Sequence, residues 1–272
     1  MGPAGDTRGA FFRSHRSLSE DAAMRNRLIA VALLLVAAAA VATAQANLAR
    51  DRAKPAFLKA WEQMRAEAYP EAAKSFQSAI DADPDYDDAY YGLGLANMRL
   101  KQYRPALAAY TKCRDLYQAA AGKRFANRQE VQRYRRERLT ELDEVIRAFQ
   151  SGNSAQSARD QESLRRLTEQ RRQLQEYMDR GNDMSIERAV PSFVYLALGS
   201  AYFRLEQWPD AEREYKAAIA SDPRSGEAFS NLAVVYMQTG RFKEADDAVK
   251  SAEKAGFKVH PQLKQDIKAK LS

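Results

Sequence analysis

The chain has 272 residues, 45% hydrophobic and 29% charged, with only 12 Gly and 9 Pro. That is ample material for a buried core and too little turn chemistry for a sandwich or barrel, so an all-helical fold is expected. Lys+Arg 43 against Asp+Glu 36 gives a net charge of +7, but the signs alternate along the chain, which makes solvated helix faces rather than a nucleic-acid surface. Two histidines, His15 and His260, and one cysteine leave almost nothing from which to build a His-based triad, a zinc site or a disulfide framework. No G-x-S-x-G, P-loop, G-x-G-x-x-G or H-E-x-x-H motif is present, so no catalytic residue, metal or cofactor is assigned.

The N-terminal extension, 1–46, carries an address. Arg25 and Arg27 precede an apolar run from Leu28 to Ala44, which ends in Ala44-Gln45-Ala46. A basic region, an apolar region and small residues at a cleavage site are the marks of a signal peptide, with release near Ala46 into the periplasm or the exterior. The polar stretch upstream is long for such a peptide, which makes Met24 a candidate start beside Met1. The competing reading keeps run 28–44 as a membrane anchor, since about 17 residues is the minimum for a span. In an oxidising compartment a lone Cys113 can pair between chains. Its position in the repeats described next predicts a small buried contact instead.

Four segments then share a spacing. The first carries Ala56, Ala60, Ala72, Phe76, Ala79 and Pro84; the second carries Tyr90, Leu93, Gly94, Ala106, Tyr110 and Cys113. The third carries Tyr195, Leu198, Gly199, Tyr202, Ala211, Tyr215, Ala218 and Pro223, and 34 residues later come Phe229, Leu232, Ala233, Tyr236, Ala245 and Ala252. In each first helix these residues form one apolar face, with a small residue where the second helix must come close. Pro70, Pro105 and Pro209 fall at the starts of second helices, where a missing N–H costs nothing. Asp83-Pro84 and Asp222-Pro223 end them. The five aspartates from Asp81 to Asp88 lack the glycine and terminal glutamate of an EF-hand and read as an inter-repeat turn. After Gly256, His260 to Leu271 reads as a short helix, 258–272 with its approach, that caps the stack through Leu263, Ile267 and Leu271.

This pattern resembles the tetratricopeptide repeat (TPR), in a protein of exported bacterial type, whose template is W-x2-L-G-x2-Y, then A-x3-F, then Pro. The resemblance covers 54–118 and 191–257. It implies an all-α solenoid of helix-turn-helix units in two repeat pairs, and repeats of this kind bury their apolar faces only by stacking. Between the pairs, 119–190 departs from the template. Leu139, Leu142, Ile146 and Phe149 form one heptad-like seam, and Leu164, Leu167, Arg171, Leu174 and Met178 form another. The loop-like run from Ser151 to Ala158 joins them, which predicts a long antiparallel hairpin. A helix from Arg124 to Gln150 would be about 40 Å long at 1.5 Å per residue, so the hairpin should project from the stack. Its arginines, Arg133, Arg135, Arg136 and Arg138, then Arg165, Arg166, Arg171 and Arg172, interleave with glutamates and aspartates. They read as a salt-laced surface rather than phosphate contacts.

The resemblance further implies that the first helices line a groove for a peptide or partner helix. Each carries a second stripe at i, i+4, i+7: Phe57, Trp61 and Met64; Tyr91, Leu95 and Met98; Leu196, Ser200 and Phe203; Ser230, Val234 and Met237. Arg65, Arg99, Arg204 and Gln238 follow them. The candidate contacts are therefore Trp61, Met64, Arg65, Tyr91, Leu95, Met98, Arg99, Leu196, Ser200, Phe203, Arg204, Val234, Met237 and Gln238. Packing against the adjacent repeat is the competing use of the apolar members. Apolar anchors with arginines suit a protein or peptide bearing apolar and acidic side chains. Some relatives clamp a C-terminal carboxylate with Lys and Asn; here Tyr91 and Leu196 stand at such places and Asn231 remains alone, so that set is incomplete. The expected function is an exported scaffold, not an enzyme. The rivals are a membrane-tethered subunit of an envelope assembly and a structural protein that self-associates through the hairpin.

Overall fold

The structure is a computed structural model that describes residue 45 and residues 48–121, 128–150, 158–179 and 190–271. The apolar run 28–44, both candidate starts, Ala46 and the loop residues 151–157 lie outside the described residues. The chain divides into two compact units, Met1–Asp51 and Arg52–Ser272. In the first, the described residues 45 and 48–51 are helical. The second holds the repeats. Among the described residues no helix is long and apolar enough to cross a membrane.

Every regular element described is a helix. Within the second unit α1 covers 52–65, followed by α2 (Tyr69–Ala82), α3 (Asp87–Arg99) and α4 (Tyr103–Ala121). The insertion supplies α5 (Arg128–Gln150) and α6 (Ala158–Asp179). Then come α7 (Ser192–Arg204), α8 (Trp208–Ser221), α9 (Gly226–Gln238), α10 (Phe242–Lys254) and α11 (Pro261–Leu271). Consecutive helices pair as α3 with α4, α7 with α8 and α9 with α10, and α8 packs onto α9. Helix α4 packs directly on α7. Tyr91, Tyr110, Cys113 and Tyr117 share one core cluster with Val194, Leu198 and Ala201. The four repeats are therefore one continuous stack, and the insertion loops out of it without separating its halves.

A small residue on the first helix meets a ring from the second. A methyl group on Gly94 would lie 2.3 Å from the Tyr110 ring, and one on Gly199 would lie 2.6 Å from the Tyr215 ring. Both rings are almost fully buried. Any side chain there would push the helices apart and open gaps along the whole contact. Ala60 and Ala233, the corresponding residues of the outer repeats, are likewise fully buried. Cys113 is buried too, in line with its reading as a small core residue. At the C-terminal end α11 packs on α10, with Ile267 buried and Leu263 half-buried against the last cluster. Leu271, expected on the same face, is instead 49% exposed; it is the last residue of α11.

The turn inside each repeat has one conformation. Glu67, Lys101, Glu206 and Gly240 sit at φ of 56°, 59°, 59° and 74°. Two backbone bonds close each turn: Lys101 N–H donates to Met98 O at 3.1 Å and Gln102 N–H to Asn97 O at 2.9 Å, and the other three repeat the arrangement. This is the Schellman motif, which satisfies the last carbonyls of the first helix and reverses the chain. The inter-repeat turns use aspartate: the Asp83 carboxylate accepts the Asp85 N–H, and Asp222 accepts the Arg224 N–H, each at 3.0 Å. The left-handed region costs a residue with Cβ about 1–2 kcal/mol, and glycine loses part of that advantage through its unfolded-state entropy. Lys101→Gly should raise stability by about 0.5–1 kcal/mol and Gly240→Ala should lower it by about 1 kcal/mol. Urea unfolding midpoints check both.

Charged pairs then knit the last two repeats. Arg241, at the start of α10, reaches Glu212 on α8 at 2.6 Å and Glu244 at 2.5 Å. Its guanidinium lies 4.3 Å from the centre of the Tyr236 ring. Burial pushes the Glu212 carboxyl up, but hydrogen bonds from Lys216 and Arg241 more than offset that and hold it below its ordinary value of 4.5. A carboxylate held low in the folded state stabilises fully above its unfolded value, and that contribution is lost as pH falls through the folded value. Glu212→Gln should therefore cost about 1 kcal/mol at pH 7. The difference between wild type and variant should vanish on the acid side of pH 4.5, as thermal unfolding across pH will show.

Candidate partner-binding groove

First helices of neighbouring repeats approach one another, α3 with α7 and α7 with α9, and so form the inner surface of the stack. On its N-terminal half lies the hairpin. Phe57 and Trp61 of α1, Asp88 and Tyr91 of α3, and Phe193 of α7 share one cleft with Glu141, Leu142 and Val145 of α5 and Leu167 and Gln170 of α6. Counted with the space open to solvent, the cleft is about 470 Å³. The long arm expected to project is folded back onto the stack instead. The reason is a second stripe on α5 that its apolar pattern conceals: Val131, Arg135, Arg138, Leu142 and Val145, spaced 4, 3, 4, 3. Both valines, Leu142 and Arg135 are buried.

Arg138 is the centre of that contact, its side chain only 11% exposed. It donates to Asp88 of α3 at 2.5 Å and to Glu141 at 2.7 Å, and lies 3.6 Å from Asp87. Burial pulls the guanidinium down, but Asp88, Asp87 and Glu141 raise it well above its usual range, so it stays charged. The two aspartates occupy the first turn of α3, where the helix dipole favours negative charge. Tyr117 of α4 places its hydroxyl 3.5 Å from Asp88, and burial beside these carboxylates pushes the phenol well up. A second ion pair, Lys54 to Glu144 at 2.5 Å, ties α5 to α1. Within the hairpin, Arg171 of α6 meets Asp143 of α5 at 2.5 Å.

The arginine clusters thus divide. Arg133 and Arg172 make exposed i, i+3 or i, i+4 pairs with Glu137, Glu169 and Glu176, as the salt-laced surface requires. Arg135 is buried and Arg138 nearly so, both on the inward stripe of α5. Of the anticipated seam, Leu139, Leu142 and Ile146 are buried, Leu164 and Leu167 are half-buried, and the Phe149 side chain lies outside the described residues.

The candidate contacts separate in the same way. Trp61 and Tyr91 are 6% and 7% exposed: Trp61 meets Phe76 edge-on at 5.4 Å and Tyr91 meets Phe193 at 4.9 Å. Both line the cleft under the hairpin, so neither is open to a partner in this arrangement. Met64 packs half-buried on the first cluster and Leu95 and Met98 pack at the join of α3 and α7. Arg65 is half-buried, whereas Arg99 is exposed. In the C-terminal half, Leu196, Phe203 and Met237 rest half-buried on the last cluster. Phe203 stacks edge-on to Trp208 at 5.0 Å, and Ser200 accepts a bond from the Tyr215 hydroxyl at 3.3 Å, so both brace their own repeat. Val234 is half-exposed, and Arg204 and Gln238 are exposed. Trp61, Met64, Arg65, Tyr91, Leu95 and Met98 thus fall on the covered or packed side; Leu196 and Met237 pack on the last cluster, and among the described residues they, Arg204, Val234 and Gln238 lie outside the cleft under the hairpin.

Profiles of the tetratricopeptide repeat match residues 196–256 and 88–119, and a TPR repeat profile matches 65–101. These are tetratricopeptide repeats. The TPR stack is similar to the crystal structure of PilW, described as a widely conserved type IV pilus biogenesis factor, with 18% identity over 80% of this chain and 86% of that one and a TM-score of 0.38. It is also similar to YrrB, described as a TPR protein with an unusual peptide-binding site, at 16% identity over 80% and 91% with a TM-score of 0.27. A third is a thermophilic TPR protein of Thermus thermophilus, at 20% identity over 80% and 98% with a TM-score of 0.29. No curated protein matches the sequence.

Proposed function

We propose that the protein is an exported, non-enzymatic adaptor that holds a segment of another protein against the inner surface of α7 and α9. One contrast carries this reading. The hairpin covers the first helices of the N-terminal repeats, whereas α7 and α9 offer half-buried Leu196, Val234 and Met237 beside exposed Arg204 and Gln238. Apolar anchors that need little further desolvation, flanked by a guanidinium able to take a carboxylate in two parallel bonds, suit an apolar and acidic segment. TPR proteins generally mediate protein–protein interaction, which agrees with this use of the surface. Self-association through the hairpin seam is disfavoured, because Leu139, Leu142 and Ile146 are spent inside the monomer.

Arg204 is exposed and Val234 stands outside the described core clusters, so Arg204→Glu and Val234→Glu should spare the fold. Each should leave the unfolding free energy within about 0.5 kcal/mol of wild type. Each should also abolish retention of the partner that wild type crosslinks in its native compartment, whereas Arg133→Glu on the exposed hairpin surface should not. Retention by both groove variants would remove the reading.

Export rests on Arg25, Arg27, the run 28–44 and Ala44-Gln45-Ala46. Mass spectrometry of the mature chain should find Asn47 at the N-terminus; an intact apolar run in the membrane fraction would establish tethering instead.

A further inference from the structure

The N-terminal half of the inner surface recognises a helix by a definite chemistry, because α5 sits in it. The apolar floor is Phe57, Trp61 and Tyr91. At one edge stand Asp87 and Asp88, side chains 5% and 14% exposed, both turned to Arg138. Leu142 and Val145 follow Arg138 by four and seven residues, one and two helical turns along the same stripe. Lys54, on the other side, takes Glu144 and fixes how far the helix slides.

This contact differs from the joins inside the stack. Within the repeats, rings enclose small residues with no room for a methyl group. Beneath α5 a cleft remains beside Val145, which joins the core cluster of Phe57 and Trp61, and what aligns the helix is a buried ionic cluster. Such clusters specify register more than they stabilise, because desolvation cancels much of the attraction. The stack also needs no hairpin to be continuous, since α4 packs on α7. A helix-in-groove contact of this kind is the form in which separate proteins recognise one another.

We propose that this half of the groove is a binding site for a basic amphipathic helix, one with an arginine followed at four and seven residues by apolar side chains. In the chain alone, α5 is its resident occupant, and a partner helix of that pattern displaces it. The site lies on α1 and α3, so the proposal is independent of the α7–α9 reading and of the Arg204 and Val234 variants. A resident ligand lowers apparent affinity by the fraction of time the site is closed.

The test uses the full chain and a fluorescein-labelled peptide spanning residues 128–150, followed by anisotropy. Arg138→Ala releases the resident helix but keeps the aspartates; Asp88→Asn breaks the same bond from the groove side. The peptide should bind the Arg138→Ala chain at least about tenfold more tightly than wild type. It should bind the Asp88→Asn chain at least about tenfold more weakly than the Arg138→Ala chain. A peptide that itself carries Arg138→Ala should bind neither variant. Equal binding to wild type and Arg138→Ala, or to the two variants, would overturn the proposal. So would loss of the cooperative helical unfolding transition in Arg138→Ala, since the hairpin would then be core. Dimerisation of wild type that Asp88→Asn abolishes, seen by sedimentation, would make a second copy's α5 the occupant and overturn it equally.

Discussion

Two helices can lie with their backbones close only where one of them has almost no side chain. That constraint, met by Gly94 under Tyr110 and Gly199 under Tyr215, sets the spacing within each repeat, and the spacing sets everything else. With the second helix drawn in, the ring becomes the filling between two rods, and the far sides of both rods remain apolar and must be covered by the next repeat. The stack is thus a chain of obligations passed from unit to unit. It closes at one end where α11 covers the last cluster with Ile267. The left-handed residue in each intra-repeat turn serves the same end, since a reversal closed by two backbone bonds delivers the second helix at one angle every time.

The hairpin obeys different physics. Its approach to α1 and α3 leaves a cleft, and its position is set by Arg138 against Asp87 and Asp88 and by Glu144 against Lys54. Removing apolar area from water is nondirectional and tolerates sliding. A guanidinium held by Asp87 and Asp88 of α3 does not. The same surface therefore has a region that holds shape by packing and a region that holds address by charge. On the inner face this produces an asymmetry: among the described residues the hairpin covers the first two repeats and reaches the third only at Phe193.

Much of this could be read before any coordinates. The repeat period, the small residues, the prolines opening α2, α4 and α8 and the Asp-Pro turns after α2 and α8 are local rules, and those elements follow them. Two features were hidden for identifiable reasons. The left-handed turn positions are occupied by Glu67, Lys101 and Glu206 as well as Gly240, so composition gave no consistent mark. The inward stripe of α5 was obscured because Arg135 and Arg138 sit at its centre, and a charged residue at a seam position breaks the apolar count that reveals a buried face. The partners of Arg138 on α3, Asp87 and Asp88, are some fifty residues away and read as turn chemistry. Burial of a charge depends on what it meets, which no local pattern states. For the same reason Trp61 and Tyr91 read as groove contacts and lie beneath the chain's own helix.

The direct seating of α4 on α7 has a consequence for how such a protein is assembled and altered. Neighbouring units hold together although the polypeptide leaves one and rejoins the next only after a long excursion. The entropy of closing that excursion grows with the logarithm of its length, about 0.6 kcal/mol per doubling. A boundary between repeats is thus a port at which a module can be spliced in, exchanged or lengthened while the scaffold on either side keeps its geometry.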